Sequence, residues 1–128
     1  MPRLSPIARL ADTIEAVEVI RSEITDVTLD AFESDRRKRW LVERGIEIIS
    51  EASRHLSDEV KTRHPQIPWS KVAAIGNVLR HEYERVAYDV LWRVMHDELP
   101  PLEKACREEL ASERATDRDD PQNIGDRS

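Results

Sequence analysis

Apolar residues recur at steps of three and four positions along most of this chain, which is the spacing of one face of an α-helix. The first such segment follows Ser5-Pro6, which we expect to be the N-cap and the first helical position, and it ends at about residues 23–25. Its apolar positions are Ile7, Leu10, Ile14, Val17, Ile20 and Ile24. No stretch shows the sustained alternation and turn pairs of a β-sheet. The sequence therefore predicts an all-α fold in which each helix buries one face.

Polar capping residues mark the starts of the next two helices. Either Thr25-Asp26 or Thr28 can cap a short helix that contains Phe32, and Ser34-Asp35 can cap a long helix that ends near residue 56. The apolar stripe of this long helix consists of Leu41, Gly45, Ile48, Ile49, Ala52 and Leu56. Because a glycine there lowers helix propensity without a local gain, we expect another backbone to approach Gly45 closely.

The chain then passes through one irregular stretch, residues 57–68, in which Ser57-Asp58 can cap one more helical turn. Pro68 suits the first turn of a further helix, where its missing N–H is not needed. That helix carries an apolar stripe and either ends near its last member or bends and continues. The stripe consists of Val72, Ile75, Leu79 and Tyr83.

Pro100-Pro101 are expected to end the following helix and to start a last one. Beyond residue 112 the chain becomes polar and retains a single large apolar residue, Ile124. We therefore predict a helical domain over residues 1–112, an antiparallel bundle of about five or six helices, and a disordered acidic tail over residues 113–128.

Composition restricts the classes of function. The net charge of −6, from 26 acidic and 20 basic residues, does not favour a protein that coats a long nucleic-acid track, although it leaves room for a small basic cleft. The single cysteine, Cys106, excludes an internal disulfide and a cysteine-built metal site. His55, His64 and His96 lack the spacing of metal ligands, and no glycine-rich phosphate loop or other cofactor motif is present. With no signal peptide and no membrane-length apolar run, we expect a soluble, cytoplasmic protein.

The most informative chemistry lies on the helix that begins at Pro68. At about 100° per residue, His81 lies opposite Val72 and shares its face with Asn77, while Arg80 lies on the flank. A histidine beside arginines can transfer a proton near neutral pH and contact a phosphate, as RNA cleavage by a ribose 2′-hydroxyl requires. A two-fold dimer would place two copies of His81, Arg80 and Asn77 around one cleft. The alternative is a surface or packing histidine, with the arginines in ordinary helix salt bridges.

Several stretches together resemble the HepT-like branch of the HEPN domains. They are Pro65-Gln-Ile-Pro-Trp69, Gly76-Asn-Val-Leu-Arg-His-Glu-Tyr83, Val90-Leu-Trp92 and Asp97-Glu-Leu-Pro-Pro-Leu102, preceded by the helix Ile46–Arg54. The resemblance implies a dimeric helical bundle that acts as the toxin of a toxin–antitoxin pair. It also implies a metal-independent endoribonuclease, silenced by a minimal nucleotidyltransferase antitoxin that attaches AMP to a tyrosine.

The family motif is arginine, four residues, histidine, one residue, tyrosine. Its histidine matches His81, its tyrosine matches Tyr83, and the asparagine that often follows the arginine matches Asn77. The position of the arginine is occupied by Gly76, which supplies no charge for the phosphoryl transition state. Arg80 is a candidate substitute, since it leaves the helix about 40° from residue 76, displaced by about 6 Å along the axis.

The glycine at this position leaves two main hypotheses for the function. In the first, the protein is a ribonuclease toxin in which Arg80 holds the phosphate, Asn77 orients His81 or the substrate, and Tyr83 is the modification site. In the second, Gly76 has removed catalysis and serves helix packing, at Gly45 or across a dimer. The chain would then be a HEPN dimer that binds or regulates a nucleotidyltransferase. A plain helical interaction module is a third possibility.

Overall fold

The computed structural model describes residues 6–82 and 88–119, without the side chains of Arg80, Glu82 and residues 117–119. No β-strand occurs in these two ranges. The α-helices are α1 (Ile7–Ile24), α2 (Leu29–Ser34), α3 (Arg36–Arg54), α4 (Asp58–Arg63), α5 (Trp69–Glu82), α6 (Tyr88–Arg93) and α7 (Leu99–Asp119). A π-helical turn, Val94–Glu98, joins α6 and α7 into one continuous helix, so the predicted all-α bundle of about five or six helices is confirmed. None of the described helices is long and apolar enough to span a bilayer.

Helix α3 lies at the centre of the bundle, because it packs against α1 on one side and against α5 on the other. Its fully buried apolar residues, Val42, Ile46 and Ile49, step by three and four and point into the core. The predicted stripe members Leu41 and Ile48 are only half-buried. The buried face of α3 is therefore rotated from the predicted stripe, since a helix packed on two sides buries more than one row of side chains.

Side-chain caps start three of the helices where the sequence indicated them. The side chains of Thr28, Asp35 and Ser57 accept hydrogen bonds from the backbone N–H groups of Ala31, Lys38 and Val60. Helix α1 instead begins after Pro6, which makes no side-chain cap bond, and Ser5 lies outside the described residues. Ser57 caps α4, so residues 58–63 of the stretch predicted to be irregular are helical.

The prediction that Pro100-Pro101 start the last helix is confirmed, because both lie in the first turn of α7, but the prediction that they end the preceding helix is wrong. The backbone stays helical through both prolines, which occupy the first turn of α7 directly after the π-helical turn. The N–H of Leu99 donates to the carbonyl of Val94, five residues back. Because proline lacks an N–H and its ring clashes with the carbonyl four residues earlier, the wider π-helical turn lets the helix pass without a break.

Helix α7 also extends further than the sequence suggested. It continues to Asp119, so residues 113–119 of the predicted tail are helical, and residues 120–128 lie outside the described part. Glu113, Arg114 and Ala115 are good helix formers, and no glycine or proline interrupts the chain before Pro121. Low apolar content alone therefore does not end this helix.

The Cys106 thiol is expected to resist alkylation and disulfide exchange in the folded protein. It is buried in the core, and burial, together with the nearby Glu109 carboxylate, raises the pKa of this thiol to about 12. At pH 8 a thiol with that pKa is only about 10⁻⁴ ionised, and the thiolate is the nucleophile. An aromatic disulfide reagent should label Cys106 only after unfolding in guanidinium, with Cys106→Ala as the blank. Rapid labelling of the native protein would contradict this placement.

Candidate active site

Helix α5 presents two of the predicted site residues to solvent. Its buried side chains, Val72 and Leu79, face the core, whereas Asn77 and His81 are exposed. Ala73, Asn77 and His81 follow one another at four-residue intervals and form one row, which we call the α5 strip. Each step along this row is about 6 Å, so Asn77 lies one turn before His81 on the same exposed face. The structure thus places Asn77 and His81 together, as predicted.

Gly76 lies beside the α5 strip, on the side of α5 that packs against α3. Its backbone N–H donates to the hydroxyl of Ser50 at 3.2 Å, and that hydroxyl donates to the carbonyl of Ala73 at 2.7 Å. A Cβ atom at residue 76 would lie 2.6 Å from both the Cβ and the Oγ of Ser50, closer than real Cβ atoms approach. Because Ser50 is completely buried, it has no room to move aside.

The glycine at position 76 therefore has a packing role, but its partner differs from the one the sequence suggested. Gly76 packs on Ser50, whereas Gly45 packs on α1, where an added Cβ would lie 2.6 Å from the Cδ1 of Ile20. The expectation that the two glycines face each other is wrong. The reason is that α3 packs on α1 and α5 with different faces, and each glycine serves a different interface.

Arg54, at the end of α3, reaches across to the α5 strip. Its Nε and Nη2 donate to the carbonyl of Ala73 at 3.3 and 3.1 Å, and Nη2 also donates to the Ser50 hydroxyl at 3.3 Å. Its Nη1 contacts the carboxylate of Glu51 at 3.3 Å. Sequence reasoning missed this residue. The available signal was Ser50, a polar residue on the buried face of α3, followed one turn later by an arginine.

The remaining predicted site residues are not tested by this geometry. Arg80 belongs to α5, but its side chain is outside the described part of the structure. Tyr83 lies in the range 83–87, which is also outside it. Their predicted roles, phosphate binding by Arg80 and modification at Tyr83, stay predictions.

A pocket of about 280 Å³ opens on another part of α5. Its lining is almost entirely apolar and carries only two charged residues, Lys71 and Glu98, so it does not offer the polar groups that a nucleotide needs. The lining includes neither Asn77 nor His81. It consists of Ile46, Ile49, Ile67, Pro68, Lys71, Val72, Ala74, Ile75, Val78, Val94, Glu98, Leu99 and Leu102. The candidate catalytic residues Asn77 and His81 therefore lie on the α5 strip and outside this pocket.

Comparison with known proteins gives the family. The model described as "Ribonuclease HepT-like" matches residues 13–109. "Probable ribonuclease HepT" of Thermococcus cleftensis is 34% identical over 93 residues, covering 73% of this chain and 84% of that protein. "Putative RNase MJ1380" of Methanocaldococcus jannaschii is 29% identical over 97 residues, covering 76% and 89%. No solved structure gives a significant match.

The helical fold and these matches agree on the class of protein, an all-α protein related to ribonucleases. The chain belongs to the HepT-like ribonuclease family. The matched region, residues 13–109, contains α3 and α5, and hence both Gly76 and His81.

Proposed function

We propose that this protein is an endoribonuclease that acts as the toxin of a toxin–antitoxin pair. The observation that carries the proposal is the exposed pair Asn77 and His81 on α5, in a chain of the HepT-like ribonuclease family. An exposed imidazole is accessible to a substrate and can serve as a general acid or base. Relatives of this chain carry ribonuclease names, which supports RNA as the substrate class.

In the proposed reaction a ribose 2′-hydroxyl attacks the adjacent phosphorus. A base removes the 2′-hydroxyl proton as the 2′-O–P bond forms, and an acid protonates the 5′-oxygen as the P–O5′ bond breaks. The products are a 2′,3′-cyclic phosphate and a free 5′-hydroxyl. One His81 can serve as the base and the His81 of a second copy as the acid, while Asn77 holds the imidazole or the phosphate in position.

The second copy comes from a homodimer formed through the α5 strip. Val78, the residue after Asn77 on α5, is 36% exposed and also lines the apolar pocket on the neighbouring face of this helix. A second subunit docked along α5 would bury this side chain. The same docking would bring two His81 side chains to one cleft.

The antitoxin partner in this proposal is a minimal nucleotidyltransferase. It would silence the toxin by attaching AMP to Tyr83, two residues after His81, where the bulk and charge of the nucleotide would block RNA. Arg80 would contribute positive charge to the same site. A cytoplasmic location follows from an RNA substrate and a protein partner of this kind.

A second function is favoured by one observation, the tight contact between Gly76 and Ser50. This contact leaves no space for a charged side chain at the position of the family arginine. The protein would then be a HEPN dimer without catalysis that binds or regulates a nucleotidyltransferase.

RNA cleavage in a chelating buffer tests the choice between these functions. Wild type is expected to cut a mixed tRNA and mRNA pool, and His81→Ala to lose at least about 10²-fold in rate, as removal of a general acid or base does. His96→Ala is the matched control, because His96 is an exposed histidine of the π-helical turn and its ring packs against Trp92. Equal cleavage by wild type and His81→Ala would refute the role of His81, and no cleavage by wild type would favour the regulatory function.

A further inference from the structure

We propose that Arg54 is the residue that presents positive charge to the RNA phosphate, in place of an arginine at position 76. This inference rests on the proposed function and adds a residue from a second helix to its site. Three observations support it. They are the position of the guanidinium along the axis of α5, its hydrogen bonds to Ala73 and Ser50, and the partial exposure of the Arg54 side chain.

The guanidinium of Arg54 lies beside the middle of the α5 strip. In an α-helix the carbonyl of residue 73 points along the axis toward the amide of residue 77. Because Arg54 donates to that carbonyl with both Nε and Nη2, its charge is held at about the level of Gly76 and Asn77. His81 follows one turn later, about 6 Å further along the axis. A phosphate on the strip can therefore contact both side chains.

The anchoring fixes one edge of the guanidinium and leaves another for a ligand. The Nε and Nη2 edge is bound to Ala73 and Ser50, whereas Nη1 contacts only the Glu51 carboxylate at 3.3 Å among the contacts seen here. Both side chains of the Arg54–Glu51 pair are substantially exposed, at 36% and 53%, so that solvent screens their attraction. Such a surface pair contributes little to stability, so a phosphate can replace Glu51 as the partner of Nη1.

Helix packing alone does not explain a guanidinium at this carbonyl. The oxygen of Ala73 faces the amide of residue 77 within α5 and also accepts the Ser50 hydroxyl at 2.7 Å, so both of its lone pairs already have donors. The bonds from Arg54, at 3.1 and 3.3 Å, therefore add little to the α3–α5 contact. Their effect is to orient the planar guanidinium group, whose N–H donors match the spacing of two phosphate oxygens.

In the reaction, Arg54 transfers no proton. It neutralises the non-bridging phosphoryl oxygens as the 2′-O–P bond forms and the P–O5′ bond breaks, while His81 carries out the proton transfers. Loss of such a charge typically slows catalysis by about 10²–10³-fold. Binding of the intact strand should weaken as well, because each phosphate contact contributes to the salt dependence of RNA binding.

The experiment compares wild type, Arg54→Gln, Arg54→Lys and His81→Ala with Arg44→Gln as the matched control. Arg44 is an exposed arginine of the same helix, and it lines a groove that also holds Asp12 and Glu15, where RNA is not expected. Cleavage is measured on a labelled single-stranded RNA in chelator. Binding is measured from low to moderate salt on the 2′-O-methyl version of the same strand, which cannot be cleaved because its 2′-oxygens are blocked. Thermal melting confirms that every variant is folded.

We expect Arg54→Gln to cleave about 10²-fold more slowly and to reduce the slope of log affinity against log salt by about 0.7, the value of one phosphate contact on a single strand. Arg54→Lys should keep most of the salt dependence of binding, because the charge is retained. Its cleavage rate should be below that of wild type, because an ammonium group cannot contact two phosphate oxygens as a planar guanidinium does. A rate and a slope equal to those of Arg44→Gln would overturn the role of Arg54 while leaving the ribonuclease proposal intact. Absence of wild-type cleavage would refute that proposal, and the slope would still decide whether Arg54 binds phosphate. Absence of binding would overturn both.

Discussion

Gly76→Arg is expected to lower the free energy of unfolding by more than about 3 kcal/mol, or to prevent folding, instead of creating a better ribonuclease. The first atom of the new side chain would lie 2.6 Å from the Cβ of Ser50, which is buried and belongs to the central helix α3. Overpacking of a core typically costs about 1–3 kcal/mol, and a guanidinium forced into the same interface adds the cost of removing a charge from water. For a domain of this size the melting temperature should fall by roughly 10 °C or more.

Gly76→Ala isolates the steric part of this effect. Alanine gains up to about 1 kcal/mol of helix propensity over glycine, so any net destabilisation must come from the contact with Ser50. Gly45→Ala is the matched comparison. Its added Cβ would lie 2.6 and 2.8 Å from Cδ1 and Cγ1 of the buried Ile20, atoms that can turn about χ1 and χ2, whereas the Cβ of Ser50 is fixed to the backbone. We expect Gly76→Ala to lower the midpoint of urea unfolding and Gly45→Ala to lower it less.

The double variant Ser50→Gly/Gly76→Ala shows whether the pair is coupled. Removing the Ser50 side chain removes both atoms that the new Cβ would strike, leaving the Glu47 Cα at an ordinary 3.6 Å. The double variant should therefore be more stable than the sum of the two single changes predicts, by about 1 kcal/mol or more. Strict additivity would show that Gly76 is not held by Ser50. Ser50→Gly/Gly76→Arg is, for the same reason, the fairer test of whether an arginine at position 76 restores catalysis.

These contacts show which parts of the molecule the sequence could predict. The caps at Thr28, Asp35 and Ser57 depend on a few neighbouring residues, and the sequence located them. The helix through Pro100-Pro101 was missed, because a π-helical turn compensates for the prolines and leaves no composition signal.

The candidate site was predictable only within one helix. His81 and Asn77 share a face because of helical geometry, which the sequence contains. The pairing of Gly76 with Ser50, and the reach of Arg54 to the carbonyl of Ala73, depend on how α5 is rotated against α3. That rotation is determined by the packing of the whole bundle, so no local pattern reveals it.

Glu109→Ala should destabilise the fold strongly, and the contribution of Glu109 should depend on pH. The buried carboxylate of Glu109, on α7, accepts hydrogen bonds from Nε and Nη2 of Arg63 at 2.8 and 3.0 Å. The Nε2 of the buried His64 lies 2.9 Å away. The carbonyl of His64 in turn accepts the indole N–H of Trp69 at 3.0 Å, so this cluster connects α7 to the start of α5.

Removing Glu109 should cost about 3 kcal/mol, at the lower end of what removal of one partner of a buried pair costs, because Arg63 remains half-exposed and can be solvated. The Arg63 hydrogen bonds hold the pKa of the Glu109 carboxyl below its usual range, although burial alone would raise it. A carboxyl whose pKa is depressed by folding stabilises the protein above its unfolded pKa of about 4.3, and this stabilisation is lost as the pH falls through the folded value. Wild type should therefore lose stability below about pH 4.

Urea unfolding at several pH values between 7 and 3 measures this contribution. Glu109→Gln, which keeps the shape of the side chain, should be less stable than wild type at pH 7, and the difference should shrink as the pH falls below about 4. Glu108→Gln is the matched control on the same helix, since Glu108 is exposed and its replacement should change stability by less than about 0.5 kcal/mol. A difference between wild type and Glu109→Gln that stays constant down to pH 3 would mean that the charge of Glu109 does not support the fold. The loss would then be due to shape or hydrogen-bond geometry at the junction of α4 and α7.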